Sequence, residues 1–150
     1  MATGLTTKKL FLFGGVFLLF LVDLIAKYYF RTNPDISISI VGSAITLRLF
    51  VNDLIAFSIP YAWSKMLTVG TIFIVGGLLV WWYKDYTHTR KVLFPLYLII
   101  SGALSNLMDR ILLGSVTDYI HIAPISYFNI ADLLIFAGVL LIIFPRRFHL

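Results

Sequence analysis

Apolar residues run almost unbroken through four stretches of this chain: Leu10 to Phe30, Met66 to Tyr83, Val92 to Met108 and Phe128 to Phe144. At about 1.5 Å of rise per helical residue, a run of some 20 residues covers about 30 Å, the thickness of a bilayer's hydrocarbon core. The pattern predicts four transmembrane helices, with spans at about 10–30, 66–83, 92–113 and 128–144. Pro145, with Arg146 and Arg147 behind it, marks the end of the fourth. Lys8 and Lys9 ahead of the first run look like the start of a secretory signal. The apolar pattern continues past Asp23 and Lys27, however, and no small-x-small cleavage site follows, so a retained helix is expected.

The segment between the first two runs, about 31–65, is too long for a hairpin and too apolar for a solvated linker. Ile36, Ile38 and Ile40 alternate with Ser37 and Ser39, Gly42 breaks the pattern, and Ile45, Leu47 and Leu49 alternate with Thr46 and Arg48. A period of two on both sides of a glycine predicts paired strands. Leu54 to Trp63, apolar and interrupted by Pro60, reads as a segment lying along the membrane surface. The expected fold is an all-α membrane protein with a small β element. It is a single membrane domain over 1–150, with four transmembrane helices, an extracytoplasmic β-cradle and an interfacial segment.

Composition agrees with lipid as the main solvent: 60% of residues are apolar, 13% are charged, and nothing of this length could bury so much inside a water-soluble core. All seven acids are Asp, against twelve Lys and Arg. Seven basic residues near span ends (Lys8, Lys9, Lys84, Arg90, Lys91, Arg146, Arg147) outnumber the four on the other side (Arg31, Arg48, Lys65, Arg110), which predicts cytoplasmic termini. That placement also accounts for the net charge of +5 without a nucleic acid. Cysteine is absent, which excludes disulfides, thiolate catalysis and Cys-ligated metals. With His88, His121 and His149 scattered and no Glu, there is no H-E-x-x-H site, and no G-x-S-x-G occurs.

Ionisable residues inside spans are expensive and call for a partner or a function. Here they share a depth near the outer leaflet: Asp23 and Lys27 in the first span, Asn106, Asp109 and Arg110 at the end of the third, Asp132 at the start of the fourth, and Asp118 in the connection before it. Asp23 and Lys27 are four apart and read as a neutralising pair on one helix face. Asp118 and Asp132 have no basic residue at helical spacing. Two carboxyls sharing one site titrate apart, so that one is ionised and the other protonated, which suits general acid–base hydrolysis of an amide without Ser, Cys or metal. A small transporter or channel subunit using membrane aspartates, and a non-catalytic assembly partner, are the alternative readings.

The same residues resemble a known family, the lipoprotein signal peptidases (signal peptidase II). VDLIAKYYF is similar to the family's D-x-x-x-K, VNDLIAFS to N-x-G-x-A-F-S, NLMDRILLGSVTDYI to N-x-x-D-R-x-x-x-G-x-V-x-D-F, and FNIAD to F-N-x-A-D. The resemblance implies an aspartic dyad of Asp118 and Asp132. It implies substrate contacts from Asn52, Asn106, Arg110 and Asn129, and structural support from Asp23, Lys27 and Asp109. It further implies a monomeric enzyme of the bacterial inner membrane that needs no cofactor or metal. Its partners would be membrane lipid and a diacylglyceryl-modified prolipoprotein, cut before the lipidated Cys. The chain departs from the family pattern at Leu54, where Gly is usual, at Ser101 and Ser105, also in place of Gly, and at Tyr119, in place of Phe.

Overall fold

A computed structural model describes residues 7–52, 61–88 and 93–144. Its elements in chain order are α1 (Thr7–Thr32), β1 (Ser37–Val41), β2 (Ile45–Asn52), α2 (Tyr61–His88), α3 (Leu93–Leu113), β3 (Val116–Ile122), β4 (Ser126–Phe128) and α4 (Ile130–Ile143). The interfacial segment predicted after Leu54 lies outside the described residues up to position 60; α2 begins at Tyr61, earlier than the apolar run alone indicated.

Among the described residues, three helices are long and apolar enough to cross a membrane, over Lys9–Thr32, Lys65–His88 and Leu93–Leu113. In hydrocarbon a backbone must satisfy its own N–H and C=O groups, and a helix does so within the segment. The fourth differs from expectation. α4 has 14 residues and reaches only about 21 Å, because Phe128 belongs to β4 and Asn129 caps the helix rather than extending it.

α3 is the central helix and packs against α1, α2 and α4. Val16 of α1, Leu98 of α3 and Leu134 of α4 form one apolar cluster; Val75 of α2 with Ala103 and Leu107 of α3 forms another. The crossing of α3 and α4 is close enough to require glycine on both sides. A Cβ on Gly102 would press into the Ala131 carbonyl, and one on Gly138 would lie 2.7 Å from the Pro95 carbonyl oxygen. α2, by contrast, exposes Met66, Phe73, Ile74 and Val80 outward, as a lipid-facing helix does.

The extramembrane part is larger than the alternation predicted. β1 and β2 pair as expected, but β3 and β4, from between α3 and α4, complete a four-stranded antiparallel sheet in the order β1-β2-β3-β4. Gly114, at φ 74°, ends α3 in the left-handed region and turns the chain directly into β3. Asp118 therefore sits in a strand, not in a connecting turn. The connection expected between the third and fourth helices is a strand because Val116–Ile122 finds a pairing partner in the distant β2.

Candidate active site

Buried polar residues on α3 fall at 101, 105, 106 and 109, one stripe of a helix, and on α1 Asp23 and Lys27 face it. Lys27 Nζ is 2.9 Å from Asp23 Oδ2 and 3.9 Å from Asp109 Oδ2, and donates to Ser105 Oγ at 3.0 Å and Asn106 Oδ1 at 2.8 Å. Ser105 Oγ donates in turn to Asp23 Oδ2 at 2.6 Å. Asp109 accepts the backbone N–H of Thr117 at 2.8 Å, which ties α3 to the strand bearing Asp118. Arg31 does the same from α1, donating to Thr117 Oγ1 at 2.8 Å and Ser115 Oγ at 2.7 Å.

Asp132 is carried by the first turn of α4, where four backbone N–H groups have no partner within the helix. Each finds one here. Ile130 N–H donates to Tyr119 OH at 3.3 Å, Ala131 N–H to Asp23 Oδ1 at 3.2 Å, Asp132 N–H to Asn129 Oδ1 at 2.9 Å and Asn129 N–H to Asp132 Oδ2 at 3.2 Å. Asn129 and Asp132 form a reciprocal capping box, the Asn129 N–H returning to Asp132 Oδ2 at 3.2 Å. The other oxygen, Oδ1, accepts from Asn106 Nδ2 at 2.8 Å.

Asp118 is held from two sides. Asn129 Nδ2 donates to Oδ1 at 2.8 Å and Asn52 Nδ2 to Oδ2 at 2.9 Å. The second contact depends on a bulge in β2. Leu47 pairs with Ile120, but Phe50 pairs with Asp118, so β2 spends one extra residue between the two pairs. Regular pairing would have set Val51 opposite Val116; the bulge sets Asn52 there instead, on the face of Asp118. Asn129 is common to both acids, bonded to Asp118 through its side chain and to Asp132 through side chain and backbone.

Burial pushes the Asp118 carboxyl up to about 6, helped by the negative charge of Asp132 and opposed by the hydrogen bonds from Asn52 and Asn129. Tyr119, its neighbour, is held well above its usual range by burial and by Asp23, so it remains a donor, bonded to Asp23 Oδ1 at 2.8 Å. Arg110 lies within electrostatic reach of Asp132, Asp118 and Asp109, on the wall of a cavity of about 560 Å³ shared with Lys65, Thr68 and Val69.

Of the residues singled out in the sequence, Asp118, Asp132, Asn52, Asn106, Asn129, Asp23, Lys27 and Asp109 form one connected hydrogen-bond network, and Arg110 borders it. Sequence reasoning missed Arg31, Ser105, Thr117 and Tyr119. Only the last two had a local signal, through their place beside Asp118.

A bundle of apolar helices under a small sheet, with two carboxyls gathered on a shared asparagine where helix meets strand, has the form of a membrane aspartic peptidase. The comparisons agree. The profile of the family described as signal peptidase (SPase) II matches residues 15–147. Among curated proteins, the lipoprotein signal peptidase of Bartonella tribocorum is 37% identical over 147 residues, covering 89% of this chain and 84% of that protein. That of Pseudoalteromonas translucida is 33% identical over 126 residues, covering 71% and 76%. A bacterial membrane enzyme solved in meso at 1.9 Å resolution superposes with a TM-score of 0.78 at 26% identity over 90% of this chain and 91% of that one. A second, at 2.3 Å, gives a TM-score of 0.74 at 27% identity over 85% and 82%. This chain belongs to the signal peptidase II family: it is a bacterial membrane enzyme, an aspartic peptidase with lipoprotein signal peptidase activity.

Proposed function

We propose that the enzyme cuts diacylglyceryl-modified prolipoproteins immediately before the lipidated Cys, with Asp118 and Asp132 as its acid–base pair. The observation that carries this reading is the convergence of both carboxyls on Asn129 at the membrane boundary. A diacylated Cys is held there by its acyl chains, at about 0.8 kcal/mol per buried methylene. Its scissile bond and the two acids therefore share a depth. The ionised carboxyl takes a proton from water as the water oxygen bonds to the scissile carbonyl carbon. The protonated carboxyl gives its proton to the carbonyl oxygen. In the resulting diol one hydroxyl returns its proton as the C–N bond breaks, and the departing nitrogen leaves protonated as the new N-terminal amine.

In this reading Asn106 and Asn129 aim the acids, while Asn52 and Arg110 also meet the substrate chain. Asp23, Lys27 and Asp109 hold the frame. The site faces the outer leaflet of the bacterial inner membrane, both termini are cytoplasmic, and the enzyme works as a monomer in contact with lipid. The test is cleavage of a diacylated precursor peptide by purified Asp118→Asn and Asp132→Asn. Both are expected to fold, bind and fail to cut; turnover by either removes that residue from the chemistry.

A further inference from the structure

Tyr119 stands next to Asp118 on β3, is 3% exposed, and is bonded to two other elements at once. Its hydroxyl donates to Asp23 Oδ1 of α1 at 2.8 Å and accepts the N–H of Ile130, the first residue of α4, at 3.3 Å. The same Asp23 oxygen accepts the next N–H of that turn, from Ala131, at 3.2 Å. The ring lies flat against Phe30, with centroids 5.6 Å apart and planes at 7°. A phenylalanine would keep this stack and lose both hydrogen bonds.

We propose that the Tyr119 hydroxyl is a positioning group for the acid pair, clamping the first turn of α4, with Asp132 on it, to α1 and to the strand that bears Asp118. The proposal rests on reading Asp118 and Asp132 as that pair. A buried tyrosine bonded to an aspartate is commonly a satisfied core residue and nothing more. This one differs in where its bonds go: the strand it stands on holds one acid, and the helix turn it receives holds the other. Without the hydroxyl, Ile130 N–H is a half-buried donor that has lost its acceptor, and Asp23 Oδ1 keeps only Ala131. The turn then loses one of the two N–H contacts, to Tyr119 of β3 and Asp23 of α1, that tie it to its neighbours. Asp23 itself stays fixed by Lys27 and Ser105 at its other oxygen, so the effect should be confined to the start of α4.

The experiment is Tyr119→Phe in the full-length enzyme in detergent, read two ways. Steady-state cleavage of a diacylated precursor peptide should show kcat lower by about tenfold to a hundredfold with KM within about twofold, the signature of misaligned acids rather than lost binding. Hydrogen–deuterium exchange should show faster exchange in peptides covering 129–134 and unchanged exchange in α1 and α3. Any other pairing of results overturns the proposal: wild-type kcat with or without faster exchange, reduced kcat with wild-type exchange, or faster exchange throughout the chain. Asp118→Asn in the same assay separates the two readings. If it cleaves, the acid-pair assignment falls, while exchange at the start of α4 still reports whether the clamp exists.

Discussion

Lys27 Nζ donates to Asn106 Oδ1 at 2.8 Å, and that contact, with a longer one from Asn129 Nδ2 at 3.2 Å, sets which way the Asn106 amide faces. With the oxygen against the ammonium, the amide nitrogen is left to donate to Asp132 Oδ1, also at 2.8 Å. The reverse orientation would set two donors against each other. The ion pair within the membrane is thus connected to the acids by one side chain.

Lys27→Met tests that connection. Asp23 is fully buried, and removing one partner of a buried pair costs about 3–5 kcal/mol because the other charge is left uncompensated. The variant should melt far below wild type in detergent. Adding Asp23→Asn should restore much of the melting temperature, since the amide oxygen can still accept from Tyr119 and Ala131 and its nitrogen can bond Ser105. Activity should stay low in the double variant, because Asn106 Oδ1 then keeps only the longer contact from Asn129 Nδ2, at 3.2 Å. Recovery of kcat together with stability would show the connection to be incidental.

The two aspartate-to-asparagine variants should differ in stability even though both are expected to be inactive. Asp118 holds its proton more tightly folded, at about 6, than at its ordinary 3.8. Between those values the folded chain binds more protons, so stability falls as pH rises, and above about 6 the ionised carboxyl is a net cost on the order of 2 kcal/mol. Asp118→Asn removes that cost and should melt no lower than wild type at pH 7, the difference vanishing near pH 4. Asp132→Asn should melt lower, by about 1 kcal/mol, because one amide oxygen cannot replace two carboxylate oxygens that accept from Asn106 and the Asn129 N–H. Thermal melts across pH 4–8 check both.

Much of this network could be read from spacing. Asp23 and Lys27 at four apart, the 106/109/110 group at one helix end, and alternation from Ile36 each led to the right neighbourhood. What stayed hidden depends on contacts between distant segments. The strand character of Asp118 required β2 as a partner, and the β2 bulge leaves no mark in composition. Ser105 and Tyr119 stood out as departures from a family pattern, and nothing local indicates that both hydroxyls turn to Asp23. The shortness of α4 follows from Phe128 joining β4, which an apolar run cannot reveal.

Asn52→Ala should move the pH profile in a known direction. The Asn52 amide stabilises the ionised form of Asp118 and so lowers its proton affinity. Without it the carboxyl holds its proton to higher pH, and the step in kcat/KM associated with Asp118 should shift upward from about 6. An unchanged or downward-shifted profile in the alanine variant would mean that Asn52 does not tune Asp118.

The two tight glycines give a contrast in position. At Gly102 an added methyl meets the carbonyl of Ala131 and comes within 2.9 Å of Ile135 Cγ1, and Ala131 lies in the turn between Asn129 and Asp132. Backbone cannot yield locally as a side-chain tip can, so the start of α4 must move away from α3. At Gly138 the methyl meets Ile99 and the Pro95 carbonyl, two helical turns farther from the acids. Both alanine variants should lose stability by about 1–3 kcal/mol, the usual cost of overpacking. Only Gly102→Ala should also lose kcat per folded enzyme, by about tenfold or more, since only there does the displaced backbone carry Asp132. Equal specific activity in the two variants would show that the α3–α4 contact supports the fold without setting the acids.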